Sequence, residues 1–149
     1  MFKHKKKNSL KNNKFNLNKI DKKNSLKNNK NLKVGGFQGN PLELLNDKQY
    51  LLNQVKKDGN MLRFASKELK ENIEIVKAAV NQNGKALQWA SQELIANEDI
   101  VLAAVKNYGY ALKYASEGLK SNKKIVLEAV KNSGSALKLA SNELKDDLD

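Results

Sequence analysis

The sequence predicts an all-α fold, a short α-solenoid of about four 25-residue helix-turn-helix repeats with a disordered Lys/Asn-rich N-terminal arm. Two observations predict the repeats: the same residues return every 25 positions without insertion, and residues 72–96 and 97–121 agree at 12 of 25 positions. A third predicts the arm, because 12 of the 28 basic residues lie within residues 1–33. One unit of this size cannot bury its apolar face alone, so the units must stack.

Composition divides the chain into three parts: a disordered basic low-complexity arm at 1–33, a linker at 34–40 and an α-helical repeat domain at 41–149. With 149 residues and 40% hydrophobic content, the chain can bury one modest core. The net charge of +12 belongs mostly to the arm, since residues 34–149 contain 16 basic and 15 acidic residues.

The arm has nine Asn and 12 Lys, and it offers too little apolar surface to offset the entropy cost of ordering. Two interpretations of its charge remain open. It could bind nucleic acid or an anionic membrane by releasing counterions. It could instead reflect the coding bias of an AT-rich genome, which we favour because Arg63 is the single arginine and base-reading arms use arginine.

Helix signals begin at Asn40-Pro41-Leu42-Glu43, where an N-cap residue precedes a proline suited to the first helical turn. This helix is predicted to be a half-unit that caps the array. The first helix of each repeat then begins after a capping side chain that recurs at 25-residue spacing: Asp47, Asn72, Asn97 and Asn122. In the second repeat the apolar residues fall at i, i+1, i+4 and i+5, which is one helical face: Ile75, Val76, Ala79 and Val80.

Four glycines mark the repeats most clearly: Gly59, Gly84, Gly109 and Gly134. We expect each of them to end the first helix in the left-handed conformation that glycine tolerates best. A second helix should follow, with one face formed by Ala86, Leu87, Ala90, Ser91 and Leu94. The two helices of a repeat are expected to form an antiparallel hairpin.

A serine also recurs in every repeat: Ser66, Ser91, Ser116 and Ser141. As a nucleophile it would need a base, and the single histidine, His4, lies in the arm. We therefore expect each serine to be structural, bonded to the carbonyl one turn back or to a neighbouring unit.

The candidate binding surface consists of aromatic side chains at 25-residue spacing with cations beside them: Arg63, Phe64, Trp89, Lys113 and Tyr114. On an ideal helix these aromatic positions lie about 120° from the apolar stripe. Such a ladder could stack bases or bind a peptide. The alternative, packing between units, is the one we favour from sequence alone.

Other site chemistry is not indicated, so we assign no catalytic, cofactor-binding or metal-ligating residue. The chain has no cysteine, and therefore neither disulfides nor thiolate ligands. No apolar run follows the basic N-terminus, and none is long enough to cross a membrane. We expect a cytoplasmic protein without a transmembrane segment.

The segments AAVNQNGKALQWASQEL (78–94) and AAVKNYGYALKYASEGL (103–119) resemble the helical repeat family known as domain of unknown function 4116. The resemblance covers roughly residues 42–147 and departs from the pattern at Gln54, Met61 and Leu139. It implies a helical repeat scaffold and supplies no catalytic residue.

Three functional hypotheses follow. The first is a non-enzymatic scaffold that binds another protein. The second is a nucleic-acid-associated protein held through residues 1–33. The third is a fragment of a longer array, whose last helical face, formed by Leu137, Ala140 and Leu144, self-associates or fits a partner.

Overall fold

The computed structural model describes residues 32–34, 37–39 and 41–148, which fall into one unit at Met1–Glu43 and a second at Leu44–Asp149. Disorder was predicted for residues 1–33, of which 1–31 lie outside the described residues, whereas Leu32 and Lys33 lie in a strand.

A short β-hairpin stands where the sequence predicted the end of the arm and a linker. Strand β1 (Leu32–Val34) pairs antiparallel with β2 (Phe37–Gly39), and Val34 lies opposite Phe37. The linker prediction missed this hairpin because three-residue strands are too short for a clear alternating pattern.

The unit from Leu44 repeats three elements: a long α-helix, a six-residue 3₁₀ helix and a short α-helix. It is preceded by α1 (Pro41–Leu44), the predicted short helix. The long helices are α2 (Lys48–Val55), α4 (Ile73–Gln82), α6 (Glu98–Asn107) and α8 (Lys123–Asn132). The 3₁₀ helices are Gly59–Phe64, Gly84–Trp89, Gly109–Tyr114 and Gly134–Leu139. The short helices are α3 (Lys67–Lys70), α5 (Gln92–Ile95), α7 (Glu117–Lys120) and α9 (Asn142–Leu148).

The predicted starts of the long helices are confirmed. The side chains of Asp47, Asn72, Asn97 and Asn122 each accept a hydrogen bond from the backbone N–H three residues on. This bond satisfies a donor that the first helical turn leaves without an intrahelical partner.

The long helices also bury the predicted face. In α6 the residues at i, i+1, i+4 and i+5 are at most 1% exposed: Ile100, Val101, Ala104 and Val105. Each long helix packs on the long helix of the next repeat, and each 3₁₀ helix packs on the long helices of its own and the next repeat. The core therefore runs through the array, as stacked units require.

The second helix of each repeat was predicted wrongly, because it divides into a 3₁₀ helix and a short α-helix. In the second repeat Ala90 is extended (φ −70°, ψ 160°) between Gly84–Trp89 and α5. The N–H of Ser91 does not continue the helix; it donates to the carbonyl of Lys70 in the preceding repeat, 3.1 Å away. In the second, third and fourth repeats the break thus coincides with a backbone contact to the preceding repeat.

The recurring glycines also have a different cause from the predicted one. Among Gly59, Gly84, Gly109 and Gly134, none has the positive φ of a left-handed helix end, and each begins a 3₁₀ helix. A Cβ on Gly109 would lie 2.5 Å from the carbonyl oxygen of Ala129 in the next repeat. Glycine is needed because the backbone of the next long helix approaches too closely for a side chain.

Side-chain amides at the ends of the long helices form a second link between repeats, which we call the amide clamp: Gln82, Asn107 and Asn132. Asn107 Oδ1 accepts the N–H of Gly84 at 2.6 Å, and its Nδ2 donates to the carbonyl of Asn81 at 3.0 Å. Sequence reasoning missed these residues, although an amide recurring at 25-residue spacing was visible. Asn107 and Asn132 thus fix their repeats to the last turn of the preceding long helix, whereas Gln82 donates to the carbonyl of Lys57, which follows α2.

Candidate functional site

The recurring serines are structural residues at the starts of the short helices. The Oγ atoms of Ser66, Ser91 and Ser141 accept hydrogen bonds from backbone N–H groups three residues on, whereas Ser116 caps α7 without a side-chain bond. The expected bond to the carbonyl one turn back is not the one found. The expected link to a neighbouring unit is made by the backbone N–H groups of Ser91, Ser116 and Ser141.

These caps also affect two carboxylates. The pKa values of Glu68 and Glu93 are lowered from the ordinary value of 4.5, first because each residue's own backbone N–H donates to its carboxylate. The second cause is the hydroxyl of Ser66 or Ser91, which donates to the same carboxylate. The ionised glutamates therefore belong to the first turns of α3 and α5, where a negative charge is favourable.

We predict that this arrangement makes folding stability fall in acid. A carboxyl whose folded pKa is depressed contributes stability above its unfolded pKa, near 4.5, and loses it as the pH falls through the folded value. The double variant Glu68→Gln, Glu93→Gln should lose less stability than the parent between pH 6 and pH 3. Thermal unfolding followed by circular dichroism checks this, and equal losses in both proteins would contradict it.

The aromatic positions lie at the ends of successive 3₁₀ helices. Phe64, Trp89 and Tyr114 are the last residues of Gly59–Phe64, Gly84–Trp89 and Gly109–Tyr114, and Leu139 is the last residue of the fourth. All four side chains are half-buried. The sequence left open whether these positions pack between units or form a binding surface, and partial exposure does not decide between the two.

Cations cover two of these rings. The guanidinium carbon of Arg63 lies 4.3 Å from the centroid of Phe64, and Lys113 Nζ lies 4.6 Å from that of Tyr114. At Trp89 the neighbour is Gln88, whose side chain donates to the carbonyl of Lys85. The candidate residues therefore form two cation–ring pairs, one at Phe64 and one at Tyr114, on either side of Trp89 in sequence. The residue beside Trp89 is Gln88, which carries no charge.

A second aromatic group lies at the other end of the 3₁₀ helices and was missed from sequence. Tyr108 and Tyr110 have ring centroids 6.0 Å apart, and Lys85 Nζ lies 5.0 Å from the Tyr108 ring. The hydroxyl of Tyr110 donates to Ser135 Oγ of the next repeat. These contacts follow neither the glycine nor the serine pattern, since Tyr108 and Tyr110 occur in one repeat. They join adjacent units and add an aromatic patch there.

Within residues 32–34, 37–39 and 41–148, no group of three or more His, Asp or Glu side chains is placed to hold a metal ion. The arrangement that is present can form apolar and cation–π contacts along an outer surface. No helix in this part of the chain combines the length and apolar character that crossing a bilayer requires.

A family model described as a domain of unknown function (DUF4116) matches residues 47–95 and again 97–145. Each match covers two consecutive repeats, and the second begins at the N-cap residue Asn97. No curated protein and no solved structure matches the chain.

Proposed function

The chain belongs to this DUF4116 family, and we propose that it is a non-enzymatic scaffold that binds another protein through the surface at the ends of its 3₁₀ helices. We call this surface the aromatic surface: Arg63, Phe64, Trp89, Lys113 and Tyr114.

One observation carries the proposal. At three consecutive repeats a large aromatic side chain stays half-exposed at the same structural position, although the core beside it is fully buried. Tryptophan, tyrosine and arginine are the residues that contribute most at protein interfaces, because they bury large areas while keeping a polar group available. Repeat arrays also bind partners along extended surfaces of successive units.

The chemistry of the surface indicates what kind of segment it would bind. Arg63 and Lys113 hold positive charge over the Phe64 and Tyr114 rings, with Trp89 between them in sequence. A carboxylate on the partner can pair with either cation, and an apolar side chain can cover Trp89. We therefore propose an extended or helical protein segment that alternates acidic and apolar residues.

The non-enzymatic part of the proposal is supported by what the recurring polar residues do. The serines cap short helices and the amides hold neighbouring repeats together. A catalytic serine would need a base within hydrogen-bond reach. Among the described residues the serine hydroxyl partners are backbone N–H groups, carbonyls, other hydroxyls and, at Ser66 and Ser91, the carboxylates of Glu68 and Glu93. The lowered pKa of each of these two carboxylates makes it a weak base.

The proposal is tested by affinity capture from an extract of the source cells, with and without nuclease. We expect the full chain to retain specific protein partners after nuclease treatment. The variant Trp89→Ala, Tyr114→Ala should lose them, whereas Ile73→Ala, which changes an exposed apolar residue on a long helix, should keep them. Circular dichroism of each variant establishes that it is folded.

The same capture experiment distinguishes the scaffold proposal from the second candidate function, that of a nucleic-acid-associated protein. That candidate is favoured by the concentration of 12 Lys and one acidic residue in residues 1–33. It predicts that nuclease removes everything captured and that deletion of residues 1–33 abolishes capture. Recovery of nucleic acid alone, or capture unaffected by the Trp89 and Tyr114 substitutions, would overturn the scaffold proposal.

A further inference from the structure

The fourth glycine differs from the other three in its surroundings. Gly59, Gly84 and Gly109 are buried, and a Cβ on any of them would clash with the carbonyl of an alanine in the next repeat. Gly134 is exposed, and a Cβ there would meet nothing within 4 Å. Gly134 is thus a glycine at a position where no described residue comes close enough to require one.

Two apolar residues beside Gly134 are uncovered in the same way. Val130 and Leu137 are half-buried, whereas their counterparts in earlier repeats are fully buried: Val80, Val105, Leu87 and Leu112. These residues lie on α8 and on the 3₁₀ helix Gly134–Leu139. We call the surface that they form the open face: Val130, Gly134 and Leu137.

Hydrogen-bonding groups of the backbone complete the open face. In the earlier repeats the glycine N–H donates to the amide clamp, and a carbonyl of the last long-helix turn accepts from it, as Lys106 does from Asn132 Nδ2 at 2.9 Å. The corresponding groups in the fourth repeat are Gly134 N–H and the carbonyl of Lys131. A carbonyl at the end of each short helix also accepts a serine N–H of the next repeat, and its counterpart is that of Lys145.

We propose that the open face is a docking surface for an α-helix of this same repeat type, presented by a partner protein that is not a second copy of this chain. The three interfaces within the array specify that helix. It carries an alanine whose carbonyl lies against Gly134, and three residues later an Asn or Gln whose side chain accepts from Gly134 N–H and donates to Lys131. This surface is distinct from the aromatic surface.

The residues of the first long helix argue against a second copy as the occupant. In α2 the alanine position is Gln54 and the clamp position is Lys57, which has no acceptor for Gly134 N–H. The position of the buried isoleucines is occupied by Tyr50, whose half-burial raises the pKa of its hydroxyl. Docking α2 on the open face would therefore bury a phenol where the array buries isoleucine, and would leave Gly134 N–H without its amide acceptor.

The test converts α2 into the specified helix within the full chain, by Tyr50→Ile, Gln54→Ala and Lys57→Asn. Sedimentation velocity should find the parent monomeric at all concentrations and the converted chain forming head-to-tail oligomers as concentration rises, since a heterologous contact does not close. Adding Gly134→Ala should abolish the oligomers. A converted chain that stays monomeric, or that associates equally well with Gly134→Ala, would overturn the proposal. Gly134-dependent association of the parent would assign the surface to a second copy and overturn it as well.

A linked version keeps the proposal testable if the converted chain does not fold. Residues 97–121 are copied in place of residues 147–149, so that the copied α6 follows the fourth repeat in register. Gly134→Ala should leave the folding equilibrium constant of the parent unchanged or slightly raised, and should lower that of the extended chain by at least about thirtyfold. Equal effects in the two chains would overturn the proposal. The scaffold proposal does not depend on this result, because neither variant changes the aromatic surface.

Discussion

Replacing Gly84 by alanine should destabilise the protein by at least about 2 kcal/mol. The new Cβ would lie 2.8 Å from the Cβ of Tyr108 and closer still to the carbonyl oxygen of Ala104. Because that oxygen belongs to the backbone of α6, the next repeat must move away. The movement also stretches the 2.6 Å bond from Gly84 N–H to Asn107. Urea unfolding followed by circular dichroism measures the loss.

Gly134→Ala is the matched control, with the same substitution at the same position of the fourth repeat. A Cβ there meets nothing within 4 Å, and the backbone φ is not positive. Alanine should be neutral or should stabilise by about 0.4–1 kcal/mol through the unfolded chain. If the two variants lost the same stability, the close approach between repeats would not be the reason for glycine.

Replacing Ile100 by alanine should cost about 2–5 kcal/mol. Ile100 is 1% exposed in α6, whose neighbours are the long helices α4 and α8. Truncating it leaves a cavity that neither neighbour can fill, because each is held by its own contacts. The measurement is again the free energy of unfolding in urea.

Ile73→Ala provides the comparison, since Ile73 is also in a long helix but is 57% exposed. Its truncation should change stability by less than about 0.5 kcal/mol. A similar cost for both isoleucines would mean that burial in the shared core does not determine their contribution.

Those features that depend on single residues or on one helical face could be predicted from the sequence. Asp47, Asn72, Asn97 and Asn122 cap helices because the side-chain oxygen of Asp or Asn reaches the N–H three residues on in any context. The buried face of α6 follows from the spacing of its apolar residues. The 25-residue period predicts a stacked array, because one repeat of that length cannot bury its apolar face alone.

What could not be predicted depends on contacts between repeats. The pattern Ala86, Leu87, Ala90, Leu94 fits one continuous helix. The extended backbone at Ala90, and the bond from Ser91 N–H to the carbonyl of Lys70, leave no trace in local periodicity. A recurring glycine is likewise consistent with a positive φ or with crowding, and only the position of Ala104 distinguishes them. The partial burial of Trp89 likewise depends on which residues lie next to it in the folded array, and the sequence alone does not show them.

Each repeat is held in place by the long helix of the next one. Amide hydrogen exchange of the glycine N–H groups, followed by NMR on the native protein, tests this claim most directly. We expect Gly59, Gly84 and Gly109, which donate to the amide clamp, to exchange more than about tenfold more slowly than Gly134. Equal exchange at all four glycines, or slower exchange at Gly134, would contradict the claim.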